Sequence, residues 1–302
     1  MPGPTLSAVI VNLDGGPLVD ACLDALTGQG VDEVIVVDNG SAPPEVDRLA
    51  ARTGLKLVRL TENQGFAGPA NRGVAEAAGE LVLVLNNDCT LEPGYASACV
   101  EALRADPAVV AVQGVVLDGD GLKVDGCGIA WNGRAEAIQI RNGEPPPAPD
   151  APPFPVAGIS ATAAVYRRSS FLALAGFEES FFAYYEDADL SLRLARAGGR
   201  FLCVPAARAR HLGSATGRRL PGMRWRRLLQ NRIRTLRRNL TPAAKDRALI
   251  HSPAPGLRAA ARELGYAKAL WLAFAAGFET PDVARRDAAA LAAHPPLGRL
   301  PS

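Results

Sequence analysis

Short apolar runs rich in β-branched residues recur along the first half of the chain. Each ends in polar or glycine-containing residues and leads into a stretch with apolar positions three or four apart. That alternation predicts βα units and a mostly parallel sheet. The predicted strands are Leu6–Val11, Val34–Val37, Leu55–Arg59 and Leu81–Leu85; helices are expected over Pro17–Leu26, where Leu18, Cys22, Leu23 and Leu26 share a face, and over Ala70–Ala78. The strand runs are apolar throughout, as suits strands buried on both faces. Beyond them the pattern predicts a helix at Tyr95–Ala105, a strand at Val109–Leu117, and an exposed Pro-rich loop at Asn142–Pro155. A short helix at Phe171–Ala175, a longer one at Asp187–Ala197 stopped by Gly198-Gly199, and a strand at Phe201–Val204 follow. From about residue 221 onward the chain reads as helical. The expected class is α/β, with one domain over residues 1–220 and a helical, Arg-rich region over 221–302.

Composition leaves that picture standing and adds an asymmetry of charge. With 302 residues, 48% apolar and 21% charged, the chain has the makeup of a folded globular protein and can build a full-sized core. A net charge of +2 argues against a nucleic-acid binder, yet from Leu190 to Lys245 there are fifteen Arg or Lys and no acid. Such a block favours phosphates or an anionic membrane face, or else forms a solvated helix face. The apolar stretch Ala267–Phe278, interrupted by Lys268, falls short of the roughly 20 residues a membrane span needs and is expected at most to lie on a membrane. Five cysteines without paired spacing, and an N-terminus without the pattern of a secretory signal, point to a reducing cytoplasm.

Ligands of parallel α/β sheets bind outside the carboxyl ends of the strands, which here carry Asn12, Asp38 and Asn86-Asn87-Asp88. Asp38 suits a base or ribose hydroxyl, and equally an Asx turn with Asn39-Gly40-Ser41. A glycine-rich segment, Asn63 to Gly73, leads into a helix and can present donors to a phosphate; it follows the third strand, so it is not the dinucleotide fingerprint. Asp88 ends an apolar strand, where a carboxylate calls for a partner such as Mg²⁺ or Mn²⁺, or caps a helix. Glu186-Asp187-Ala188-Asp189 opens a helix after the aromatic run Phe181-Phe182-Ala183-Tyr184-Tyr185. The helix dipole favours acids there, and the aromatic wall would raise a carboxylate's pKa toward a general base's range.

In this order, Val-Ile-Val-Asn-Leu-Asp, Val-Val-Asp-Asn-Gly-Ser, Asn-Gln-Gly-Phe-Ala-Gly-Pro-Ala-Asn-Arg-Gly, Leu-Asn-Asn-Asp and Gly-Phe-Glu-Glu-Ser-Phe-Phe-Ala-Tyr-Tyr-Glu-Asp-Ala-Asp-Leu-Ser-Leu-Arg resemble the family 2 glycosyltransferases of the GT-A fold, particularly the rhamnosyltransferase-like and galactofuranosyl-transferring branches. The resemblance spans roughly residues 5–215 and implies a Rossmann-like, mostly parallel sheet flanked by helices. It implies that Asn12, Asp14 and Asp38 line the nucleoside pocket, with Asn63, Gly65, Asn71, Arg72 and Asn87 closing around the nucleotide sugar. Asp88 and His211 are implied as ligands of Mg²⁺ or Mn²⁺, Asp187 as the base on the acceptor hydroxyl, and Glu186 as the group that orients the acceptor or tunes that base. Departures are Asn86 in place of the first acid of the DxD motif, Ala161-Thr162-Ala163-Ala164 before Arg167-Arg168, and Pro69 in place of a frequent glycine.

The implied activity is inverting transfer of a sugar from a nucleotide-diphosphate donor to a carbohydrate or lipid-linked acceptor, in cell-surface polysaccharide or glycolipid synthesis. The expected location is cytoplasmic, peripheral on the inner face of the plasma membrane. Two other classes compete: a sugar-phosphate nucleotidyltransferase, disfavoured because Asn12-Leu13-Asp14-Gly15-Gly16 carries no base, and a non-catalytic sugar-nucleotide binder.

Overall fold

A computed structural model describes residues 5–213, 221–244, 297 and 299–301. A ten-stranded sheet dominates it, with its main path ordered β10-β12-β6-β11-β4-β1-β2-β3. The left half is built as the apolar runs predict: β1 (Leu6–Asn12), β2 (Glu33–Asn39), β3 (Lys56–Leu60) and β4 (Leu81–Asn86) pair in parallel. Alternate residues of each strand feed two cores. Leu6, Ala8, Ile10, Val36 and Leu83 face one, with α1 (Pro17–Asp24), α2 (Pro43–Ala50) and α4 (Tyr95–Ala105); Val9, Val11, Ile35, Val37 and Val84 face the other, with α3 (Ala67–Glu76), α5 (Arg168–Ala173) and α6 (Glu186–Arg196). This two-sided burial is why β1, β2 and β4 are mostly apolar, whereas the edge strand β3 carries Lys56 and Arg59.

Several elements differ from expectation. Helix α2 was not anticipated, although Pro43 and Pro44 occupy its first turn, where a missing N–H costs nothing. Helix α3 starts at Ala67 and takes Pro69 into its first turn. Ala163–Arg167 is β11, which runs antiparallel between β4 and β6 (Val109–Leu117). The strand expected to stop at Val204 continues as β12 over Arg200–His211; Pro205 is absorbed where the pairing with β6 shifts register between Val204 and Arg208. His211 therefore ends a strand and does not lie in a loop. Short strands β5 (Cys89–Leu91) and β7 (Val124–Gly126) pair with β12 and β6, β10 (Phe154–Pro155) joins the sheet edge from the Pro-rich loop, and β8 (Ile129–Trp131) with β9 (Ala137–Gln139) forms a hairpin.

The helix expected after residue 221 is α7 (Pro221–Asn239), which packs on α6. Its arginines correct the picture of one anionic-surface patch. Arg232, Arg234 and Arg238 are buried and bonded inward, to Ala135 O, Ser180 Oγ and Glu178 respectively. Arg226 is exposed, and Arg224 and Arg227 are half-buried. The apolar stretch Ala267–Phe278 lies outside the described residues. No helix among the described residues is long and apolar enough to cross a membrane.

Candidate functional site

A cleft of about 730 Å³ opens at the carboxyl ends of β1, β2 and β4. The parallel register sets Asn12 beside Asp38 and Val11 beside Asn86, so three polar strand ends meet there. Asp14, Asn39, Asn63 and Gly65 line one side; Asn86, Asn87, Asp88 and His211 form the floor; Ser160–Thr162, Tyr184–Ala188 and the β8–β9 hairpin close the other side.

On the first side most expected residues build the wall. Asn12 is fully buried, accepting from Asn87 Nδ2 at 3.0 Å and donating to Glu45 at 3.1 Å, so it orients Asn87 and does not itself line the cleft. Asp14 adopts a left-handed φ of 46° and ties the loops after β1 and β2 together through Ser41 Oγ and Ala42 N. Asp38 makes the Asx-type contact, accepting from Ser41 N at 3.2 Å, while its buried Oδ1 has no partner. Asn39, a residue the sequence reading treated only as part of a turn, accepts from Gln64 N and donates to Gly65 O and Asn63 Oδ1, fastening the glycine-rich segment to β2. Gly65 holds φ +82°, and a Cβ there would lie 2.2 Å from Phe182 O.

Asn71 and Arg72 are not in this cleft. They line a second cavity of about 570 Å³ behind α3. Asn71 clasps Phe177, accepting from its N–H and donating to its carbonyl, both at 2.8 Å, and Arg72 pairs with Glu76 at 2.7 Å. An amide and a cation in a glycine-rich segment read alike in sequence whichever side of the helix they take.

On the floor, pairing of Cys89 with His211 across β5 and β12 brings Asp88 and His211 together, Oδ1 to Nε2 at 3.2 Å. Asn86 Nδ2 lies 3.4 Å from the same nitrogen. Asp125, at β7, accepts from the opposite ring nitrogen Nδ1 at 2.8 Å. Burial pulls the imidazole down, but Asp125 and Asp88 outweigh it and hold its pKa up to about 9. Burial and the Asp88 carboxylate keep the nearby Cys22 and Cys89 thiols neutral. Asp125 carries no motif of its own and reaches His211 only through the β6–β7 and β6–β12 pairings, which hid it from sequence reasoning. Among the described residues no three metal-ligating side chains converge; two ligands, with Asp125 behind one of them, are what the floor offers.

Across the cleft, α6 begins with Glu186 and Asp187. Asp187 accepts from Ala188 N at 2.7 Å and Ala161 N at 3.3 Å, whereas Glu186 Oε2 is buried without a partner. Burial raises the pKa of both, and Asp187's charge raises Glu186's further. Two adjacent desolvated carboxyls do not both ionise readily, so the better-bonded Asp187 carries the charge and Glu186 keeps the proton. Asp189 is different: though fully buried, it is paired with Arg193 at 2.8 Å and Arg238 at 3.2 Å, which draw its pKa down, and it is structural. The preceding turn is strained, with Phe182, Tyr184 and Tyr185 at φ 68°, 71° and 69°.

The family model for glycosyl transferase family 2 matches residues 7–174, more than half of the chain. An N-acetylglucosaminyl-diphospho-decaprenol L-rhamnosyltransferase of Mycobacterium tuberculosis is 28% identical over 244 residues, 70% of this chain and 78% of the relative. The succinoglycan biosynthesis protein ExoO of Rhizobium meliloti is 34% identical over 113 residues, 35% of this chain and 32% of its own. Among solved structures, GalNAc-T7 with UDP, GalNAc and Mn²⁺ superposes with a TM-score of 0.62 at 14% identity, covering 86% of this chain and 54% of that one. The mannosyltransferase PcManGT of Pyrobaculum calidifontis, in complex with GDP-Man and Mn²⁺, gives 0.57 at 21% identity, covering 98% and 82%. These likenesses give the fold, which is the expected GT-A arrangement. With the family model spanning β1 to α5 and the strand-end polar residues gathered in one cleft, the chain belongs to glycosyl transferase family 2, a family of glycosyltransferases.

Proposed function

We propose that the chain transfers a sugar from a nucleotide-diphosphate donor to a hydroxyl acceptor in a single displacement that inverts the anomeric carbon. The observation carrying this reading is the shared cleft, with Asp88 and His211 on the floor and Asp187 on the facing wall. Asp187 takes the proton from the acceptor hydroxyl as its oxygen forms the bond to the anomeric carbon. The bond from that carbon to the diphosphate oxygen breaks on the opposite face, and the electron pair leaves with the diphosphate. Raised by burial, Asp187 is a stronger base than an exposed aspartate. Asp14, Asn63, Gly65 and Asn87, with Asp38 and its unpartnered Oδ1 behind them, suit the nucleoside and ribose.

Asp88 and His211 fit a divalent cation. A hard carboxylate oxygen and an imidazole nitrogen face each other at 3.2 Å; Asp125 holds the proton on Nδ1, and a cation would displace the proton that the raised pKa keeps on Nε2. Mg²⁺ or Mn²⁺ bound there supplies positive charge against the leaving diphosphate. Asp88 and His211 would be the residues that hold it, with Asp125 orienting the imidazole. Mn²⁺ in the GalNAc-T7 and PcManGT complexes supports the assignment.

By the mycobacterial relative's name, its acceptor is N-acetylglucosaminyl-diphospho-decaprenol, a lipid-linked sugar. We extend that acceptor class to this chain, in cell-surface polysaccharide or glycolipid synthesis, with residues 1–220 as the transferase domain and 221–302 as an Arg-rich region beside the cytoplasmic membrane face. The test is a panel of dTDP-, UDP- and GDP-sugars with an N-acetylglucosaminyl-diphosphoryl-lipid acceptor, in Mn²⁺, Mg²⁺ or EDTA. Transfer from one donor, lost in EDTA, is expected; nucleotide binding with no transfer from any donor would leave a non-catalytic binder.

A further inference from the structure

Phe181 ends a short 3-10 turn and its carbonyl accepts the Ala183 N–H at 2.8 Å; beyond it, left-handed residues interrupt the turn, and the carbonyls of residues 182–184 take donors from other elements. One of them, Phe182 O, takes the N–H groups of Phe66 and Ala67 at 2.5 and 3.2 Å. The two N–H groups of one side-chain amide, Asn231 of α7, serve Ala183 O at 3.0 Å and Tyr184 O at 2.8 Å, and the same Nδ2 also lies 3.0 Å from Phe181 O. Asn231 is fully buried and outside the cleft lining. Two residues after its last acceptor, the chain enters α6 with Glu186 and Asp187.

We propose that Asn231 is a positioning residue for the transfer reaction, holding the left-handed turn 181–185 in the one conformation that presents Asp187 to the acceptor hydroxyl. This rests on Asp187 being the base. The physical ground is that three non-glycine left-handed residues are costly and persist only where the surroundings over-determine them. Remove the amide donors, and the Ala183 and Tyr184 carbonyls lose the bonds that tie the turn to α7, which favours a relaxed turn that swings the start of α6. On this reading α7, which lies beyond the segment the family model matches, contributes to the acceptor side through that amide.

The test compares Asn231→Leu, similar in size and without donors, with Leu236→Ala, which removes a fully buried side chain from the same helix at its contact with Ala135 and Leu240. Each is assayed at a temperature where it is folded by circular dichroism. For Asn231→Leu we expect kcat down about 100-fold, as displacement of a reacting group by about 1 Å produces. UDP affinity in Mn²⁺ should stay within about threefold, and amide exchange across 181–187 should quicken at least about tenfold. Leu236→Ala should lower Tm and leave kcat within about twofold. Wild-type kcat in folded Asn231→Leu, or an equal kcat loss in Leu236→Ala, overturns the proposal. If Asn231→Leu does not fold, Asn231→Ser, which keeps a single donor, takes its place, and wild-type kcat there is equally fatal. An Asp187→Asn arm separates the two levels: its survival sinks the base assignment and this proposal together, whereas inactive Asp187→Asn beside fully active Asn231→Leu sinks this proposal alone.

Discussion

Glu186 and Asp187 are neighbours in sequence with different surroundings: two backbone N–H groups reach Asp187, and Glu186 Oε2 has none. The difference predicts a pH dependence. A base must be ionised, and burial holds Asp187 above the ordinary aspartate value near 4, so activity should rise with pH through an acid limb displaced upward from about 4. Glu186→Gln imitates the protonated partner and should retain most activity with that limb in place. Stability should change as well. A carboxyl whose folded pKa is raised binds its proton more tightly when folded, so Glu186 opposes folding as pH rises past the unfolded value. Glu186→Gln should therefore raise Tm at pH 8 more than at pH 5, by about 2–4 °C per kcal/mol recovered, as read by calorimetry. An acid limb at ordinary aspartate pH, or a larger gain at pH 5, would contradict this account. The roles proposed for Asp88, His211 and Asp187 came from the order of motifs, because residues 24 to 123 positions apart carry no local signal of their meeting. Asp125 and Asn231 were invisible for a simpler reason: their partners are set by strand pairing and helix docking.

Among the elements, the turn 181–185 and the glycine-rich segment behave as one unit, since Phe66 and Ala67 bond Phe182 O directly. Gly65 makes that approach possible. In Gly65→Ala the left-handed backbone alone would cost about 1–2 kcal/mol, and the added methyl would meet Phe182 O at 2.2 Å. A fall in Tm with loss of both nucleotide binding and turnover is expected by thermal shift and transfer assay; unchanged binding would show that the two segments are independent. Strands β1, β2 and β4 were legible because they are buried on both faces and end in marked polar residues. Strand β11 was not, since Ala-Ala-Val-Tyr-Arg is short and gains its place only by antiparallel pairing with β4 and β6. Pro205 disguised the full length of β12, and the bulge that tolerates it delivers His211 to the floor.

At the scale of the whole molecule, the chain joins a mostly parallel sheet with a cleft at its strand ends to an Arg-rich helix that serves the interior. Composition suggested a cationic surface, but burial divides the arginines: Arg232, Arg234 and Arg238 brace the acceptor-side loops, and Arg226 faces outward. Positive charge in a sequence therefore did not say which way it pointed. Metal on the floor and base on the facing wall make the central claim, and Asp187→Asn tests it most directly, because the change removes the base and leaves the floor intact. Transfer from the donor identified in the nucleotide-sugar panel should fall by at least about 100-fold, the lower end of what general-base catalysis contributes, while UDP or GDP with Mn²⁺ still raises Tm as in the wild type. Transfer at a near wild-type rate by folded Asp187→Asn would contradict the account.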